Sequence, residues 1–237
     1  VRGTIDPASI DISIPDSSSV STESISNFIA NEAVWADPLL DTKRLTSLPG
    51  WRPSTASFHE GTDLALSDPD ETFGAPVVCS YKGRVTKITR APEALELRQG
   101  ISVNVESVYQ GERLVHKYFH LLGVADTLTE GQELSTGQLI GWCGNTGTFR
   151  TKTGPLDKAG THLHFEVKSL SSPNVVIYPY GSHRWDEIDN SLSSGKTIQA
   201  RDLIPFGDNT AAVANSQQQV NPEGADDNSL IDLSTRY

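Results

Sequence analysis

His162-Leu163-His164-Phe165-Glu166-Val167-Lys168 alternates polar and apolar side chains with a period of two. Successive side chains of a strand point to opposite faces, so Leu163, Phe165 and Val167 share one face and His162, His164 and Glu166 the other. The apolar face requires a core. Two imidazoles side by side on the opposite face either share one small site or form the polar outer face of an amphipathic strand. The same texture recurs upstream, where residues 76–80, 83–89, 101–108, 113–121 and 138–142 are short β-branched runs between glycines. Few segments carry a helical period, so the pattern predicts a mainly β fold, a compact antiparallel β-sheet sandwich or barrel.

Outside that framework the texture changes. Residues 16–26 (DSSSVSTESIS) have little to bury, and 27–40 place Phe28, Ile29, Val34, Trp35, Leu39 and Leu40 where a short helix would dock them. Residues 47–57 (SLPGWRPSTAS) are dense in turn formers and mark the start of the main domain. The expected organisation is an N-terminal arm over 1–46, a β domain over 47–180, an extension packing on it over 181–207, and an acidic flexible tail over 208–237. Within the extension, 197–206 are expected to cross back over the core. The 237 residues carry a net charge of −11. Residues 1–50 and 201–237 contribute −4 each and leave the central 150 nearly balanced, as solubilising ends would. An acidic chain without interleaved Lys and aromatic residues argues against nucleic-acid binding. No apolar run reaches the length of a membrane span. The chain starts at Val1 and has no Met, as a processed form or a fragment would; 1–10 show no signal-peptide core.

Four of the six histidines fall where chemistry is plausible. His59-Glu60-Gly61-Thr62-Asp63 puts an imidazole and a carboxylate four residues apart. In a straight strand they stand about 13 Å from each other, too far for one metal ion unless Gly61 supplies a sharp bend. His120 closes the run 115–121, and by parity His116 shares its face. His116 and His183 are read as structural or solvent-facing, since neither sits in a repeated pattern. There is no Gly-x-Ser-x-Gly elbow, no phosphate-binding Gly-Lys-Ser/Thr loop and no His-Glu-x-x-His helix. Cys79 and Cys143 either pair, at roughly 4 kcal/mol by the loop-entropy model, or serve as small buried apolar groups, the preferred reading.

Taken in order, His59-x-x-x-Asp63, Tyr118-x-His120-Leu121, Gly137-Gln138-x-Ile140-Gly141 with Gly144-x-x-Gly147, and Thr161-His162-Leu163-His164-Phe165-Glu166-Val167 resemble the lysostaphin/LytM-type zinc metallopeptidases. The resemblance spans about half of the chain, residues 50–168, and includes Gly74-Ala75-Pro76-Val77 and Gly83-Arg84-Val85. It implies a barrel-sandwich hybrid holding one Zn2+ in a groove, with His59, Asp63 and His164 as metal ligands and His120 and His162 as the catalytic pair. Three protein ligands leave a fourth tetrahedral position open, as in catalytic zinc sites. The activity implied is hydrolysis of peptide bonds in bacterial peptidoglycan, in the periplasm or outside the cell, by a monomer. Two inserts depart from the family pattern, 91–100 and 148–160. They are expected to wall the cleft or to dock the acidic ends.

Two other readings compete. Degenerate relatives act as non-catalytic wall-binding or hydrolase-activating modules, but they lose metal ligands. A phosphocarrier sandwich would leave Asp63 without purpose. A narrower expectation concerns the arm, where Asn27, Asn31, Asp37 or Asp41 would supply an oxygen to the metal and occlude it.

Overall fold

The computed structural model describes residues 35–40, 42–147, 158, 160–190 and 195–206. Within them the strands are β1 (Arg44–Ser47), β2 (Gly50–Arg52), β3 (Ser57–His59), β4 (Thr62–Ala65), β5 (Pro76–Val78), β6 (Gly83–Thr89) and β7 (Ile101–Tyr109). They continue with β8 (Glu112–Val124), β9 (Glu133–Leu134), β10 (Leu139–Cys143), β11 (Leu163–Ser169), β12 (Val175–Tyr178) and β13 (Thr197–Ala200). The fold is mainly β and antiparallel. Every run with a clear β pattern becomes a strand, because its alternate Val, Ile, Leu and aromatic residues have one core to face.

Eleven strands join one branched sheet in the order β1-β4-β11-β8-β7-β6-β9. β10 branches from β8 and carries β5, while β12 extends from β11 and carries β13; β2 and β3 form a separate hairpin. Within the extension, the segment expected to cross back over the core adds a strand at the sheet edge. β13 runs parallel to β12, Ile198 opposite Val176, and Ile198 and Ile204 are buried in the core. Residues 50–52, within the turn-rich stretch, and 57–59, at its end, are short strands around a 3-10 turn at Pro53–Thr55.

Among the described residues, core packing already includes Trp35, inside the segment expected as an arm. Trp35 and Leu39 are buried with Val77, Cys79 and Tyr118. Ala36 donates to the Ser80 carbonyl at 2.8 Å and Leu39 bridges Val77. Residues 35–40 contain no helix; the rest of the helix expected over 27–40 lies outside the described residues, as do 208–237 and most of the insert 148–160. Asp37 is buried and is not grouped with His59, Asp63 and His164 as a potential metal ligand. Its Oδ1 accepts from the Thr42 hydroxyl at 2.9 Å and the Leu39 amide at 3.3 Å. Asn27, Asn31 and Asp41 lie outside the described residues. Cys79 and Cys143 are unpaired and buried, and burial pushes both thiols up to about 12.

β8 pivots the sheet. Val103 of β7 stands opposite Tyr118 and Ile101 opposite Leu121, so Phe119 and His120 together face Ser102. Two residues against one is a β-bulge. His120 takes the left-handed conformation at φ +61°. On its other edge β8 pairs with β11 up to Phe119, opposite His164, and with β10 from Leu121, opposite Cys143. The bulge ends the strict alternation, so His116 and His120 do not share a face as parity predicted. His116 is fully buried, its ring 4.8 Å from that of Trp35 and its Nε2 3.0 Å from Ser107 Oγ.

Candidate metal centre and its groove

The chain turns between β3 and β4, and the turn brings His59 and Asp63 together. His59 Nε2 stands 3.1 Å from Asp63 Oδ1, where a straight strand would hold them far apart. Gly61 makes the turn possible through space rather than through a special φ. A Cβ there would sit 2.7 Å from both His164 Nε2 and the Phe165 carbonyl oxygen, closer than non-bonded atoms allow. β11 lies between β4 and β8 with His164 in register with Asp63 and with Phe119. The His164 ring stacks on Phe119 at 5.5 Å and 8°. His164 Nδ1 thereby reaches 2.8 Å from Asp63 Oδ1 and 3.0 Å from His59 Nε2.

A carbonyl oxygen only accepts, so each ring nitrogen beside one must carry the proton. His59 Nδ1 donates to Leu48 O at 2.8 Å, His120 Nδ1 to Thr146 O at 2.9 Å and His162 Nδ1 to Gly160 O at 2.8 Å. In the neutral ring each then has Nε2 as its acceptor nitrogen. His164 is reversed: its Nε2 donates to Glu166 Oε1 at 3.2 Å, leaving Nδ1 toward Asp63. Two ring nitrogens and a carboxylate oxygen thus converge, and their lone pairs repel unless a cation stands among them. Four ligands placed tetrahedrally at about 2.0–2.1 Å from zinc are about 3.3 Å apart. The observed 2.8–3.1 Å spacings fit such an ion with little movement. His59, Asp63 and His164 form the one buried cluster of potential metal ligands among the described residues.

The electrostatics carry the same signature. Burial alone would raise the Asp63 carboxyl, but hydrogen bonds from His164 and His59 and the nearby histidines hold it well below the usual carboxylate range. Burial would lower His164; the hydrogen bonds to Asp63 and Glu166 overcome it and raise the imidazole to about 9. A proton is the smallest cation the cluster attracts. The other two histidines go the opposite way. Burial, reinforced by His162 and His164, pushes His120 down to about 3, and burial lowers His162.

His120 and His162 flank the cluster. Their ring centroids are 5.1 Å apart, His120 lies 5.8 Å from His164, and His162 Nε2 is 3.7 Å from Asp63 Oδ1. All five residues expected to carry chemistry therefore line one groove of about 450 Å³, with Arg52, Phe58, Glu60, Arg98, Gln99 and Phe119. His183 is elsewhere, stacked on Phe206 at 4.3 Å.

The sequence reading missed the supporting residues. Arg52 donates to Asp63 Oδ2 at 3.3 Å and to Ser47 Oγ; it sits in a turn-rich stretch that carries no signal. Glu166 Oε2 is held by Lys117 and Lys168, each at 3.0 Å. Alternation had placed Glu166 on the histidine face, the one available hint. Polar residues on that face are nonetheless buried, Glu166 at 6% and His164 at 9% exposure, because neighbouring strands cover them.

The sequence model of peptidase family M23 matches residues 57–175, half of the chain. Over 109 residues the chain is 33% identical to the peptidoglycan DD-endopeptidase ShyA of Vibrio cholerae serotype O1, covering 46% of this chain and 20% of that protein. The chain thus matches about a fifth of the length of that relative. Among solved structures, a zinc-containing peptidase from Vibrio cholerae is 25% identical, covering 58% of this chain and 36% of that one, with a TM-score of 0.41. LytU is also 25% identical, covering 57% of this chain and 79% of that one, with a TM-score of 0.39. Among the described residues no helix is long and apolar enough to cross a membrane.

Proposed function

The chain belongs to peptidase family M23, and from that premise we propose that it is a zinc-dependent endopeptidase that hydrolyses peptide bonds of bacterial peptidoglycan. The observation that carries the reading is the convergence of His59 Nε2, Asp63 Oδ1 and His164 Nδ1 within 2.8–3.1 Å, beside a second pair of histidines. His59, Asp63 and His164 would hold the ion. When bound, zinc supplies a Lewis acid that makes water acidic near neutral pH and polarises a carbonyl.

The chain's own groups do the rest. Thr146 O and Gly160 O fix His120 and His162 with the proton on Nδ1. Each then offers Nε2 as a base, and burial keeps His120 neutral throughout the physiological range. One ring takes the proton from the attacking water, and the same or the other returns it to the leaving amine. While it holds that proton, the ring that took it also donates from Nε2 to the developing oxyanion. Glu166 holds His164 in the tautomer that presents Nδ1, and Arg52 fixes the free oxygen of Asp63. The substrate places the work in the cell envelope, and a monomer suffices because all five residues come from one chain.

The test is to incubate the zinc-loaded protein with purified peptidoglycan and count newly released amino groups. His120→Ala and His162→Ala should each slow release by about a hundredfold to ten-thousandfold, the range of general acid–base catalysis, while keeping the metal. Wild-type protein that carries zinc yet releases no amine would contradict the reading.

A further inference from the structure

Most of the groove's charged side chains are committed to ion pairs. Arg52 is engaged with Asp63, and Glu60 with Lys168 and Lys196. Arg98 differs: it lines the groove, is exposed, and makes no side-chain ion pair or hydrogen bond among the described residues. Its position is fixed by the backbone around it. The neighbouring Gln99 carbonyl accepts from the His120 amide at 2.9 Å, and the Ile101 amide donates to Thr146 Oγ1 at 3.0 Å. The same Thr146 orients the His120 ring through its carbonyl. On the far side the Arg98 carbonyl leaves no room for a side chain at Gly147, where a Cβ would stand 2.5 Å from it. The end of the insert at Arg98 and Gln99 is therefore held beside the catalytic pair and carries to the groove a guanidinium without a partner among the described residues, in a chain whose net charge is −11.

A guanidinium in that position suits a carboxylate, which it can hold through two parallel N–H···O bonds. We propose that Arg98 reads a free carboxylate on the bound peptide, so that the groove takes cross-linked stem peptides bearing free carboxyl groups in preference to uncharged oligoglycine bridges. The inference rests on the peptidase reading above and sharpens its substrate.

The experiment uses the zinc-loaded protein and one synthetic cross-linked stem peptide in three forms: carboxylates free, the C-terminal carboxylate amidated, and the side-branch carboxylate amidated. Pentaglycine is the neutral control. Amidating the carboxylate that Arg98 reads should lower kcat/KM about tenfold or more, chiefly through KM, the scale of one charge-assisted hydrogen bond. The two amides identify which carboxylate it is. Arg98→Glu should abolish or invert the preference and Arg98→Lys should retain part of it, with thermal melting confirming that both variants fold. Equal rates on all three forms, a preference that survives Arg98→Ala, or faster cleavage of pentaglycine would overturn the inference and leave the peptidase reading standing. Failure of zinc-loaded wild type to cleave any peptide would overturn both.

Discussion

His116 and His120 stand four residues apart on β8, and their surroundings could hardly differ more. His116 belongs to the regular half of the strand, where β7 and β11 pair residue for residue and alternation sends its ring into the core against Trp35. His120 belongs to the half beyond the bulge, where one extra residue and a left-handed backbone turn the ring into the groove with His162 and His164. Burial pushes both imidazoles down to about 3, so neither is distinguished by its protonation. Position separates a packing residue from a candidate catalyst, and the bulge sets position. The groove end of the sheet departs from regular pairing at β8 and at the Gly61 turn, and there the titratable groups converge. Around His116, β8 keeps its register with β7 and β11 and aromatic rings gather.

The contrast can be broken most severely at the groove end. Gly61→Ala would drive a methyl group into the His164 ring and the Phe165 carbonyl. The clash should cost about 1–3 kcal/mol in folding stability, as overpacking does, and should weaken zinc binding about a hundredfold by displacing a ligand. Denaturant unfolding and competition with a zinc chelator measure the two effects. Unchanged affinity would show that the close packing of Gly61 on His164 is not needed for the site.

A milder change sharpens the same point. Glu166→Gln removes the carboxylate that fixes the His164 tautomer while keeping its shape. Zinc affinity should fall about tenfold to a hundredfold, as for other residues that orient a metal-bound histidine, with the fold intact by circular dichroism. An affinity equal to wild type would mean that β-sheet packing alone orients His164.

At the core end the expected effect is smaller and depends on pH. His116 is neutral when folded and titrates near its ordinary value when unfolded, so between about pH 6.5 and 3 the unfolded state binds more protons. Its contribution to stability is complete above that window and is lost as the pH falls through it. The slope from this one group is at most about 1.4 kcal/mol per pH unit. Denaturant midpoints measured from pH 7 to 4.5 should fall less steeply in His116→Gln than in wild type; parallel curves would show that His116 takes up its proton without unfolding.

The same contrast explains what was legible in the chain. Regular strands announce themselves, and 83–89, 101–109 and 163–169 are visible because alternating Val, Ile, Leu and Phe leave few other ways to bury apolar surface. The five candidate site residues that the groove brings together were singled out through the family resemblance and the alternation of His162-Leu163-His164. Local spacing alone would have left His59 and Asp63 far apart. β1 to β4 were not legible, since strands of three or four residues are too short for a period to register. The His120 bulge was invisible because parity counts residues and cannot see one inserted out of register. Arg52 and Arg98 carry no local pattern, and only the folded chain brings them to the groove.

The central claim is that His59, Asp63 and His164 hold a metal which His120 and His162 serve without binding. Elemental analysis of purified wild type, His164→Ala and His162→Ala tests it most directly. The account predicts about one zinc per chain in wild type and in His162→Ala, as for a catalytic site with three protein ligands, and none in His164→Ala. Zinc retained by His164→Ala, or lost from His162→Ala with the fold intact, would contradict it.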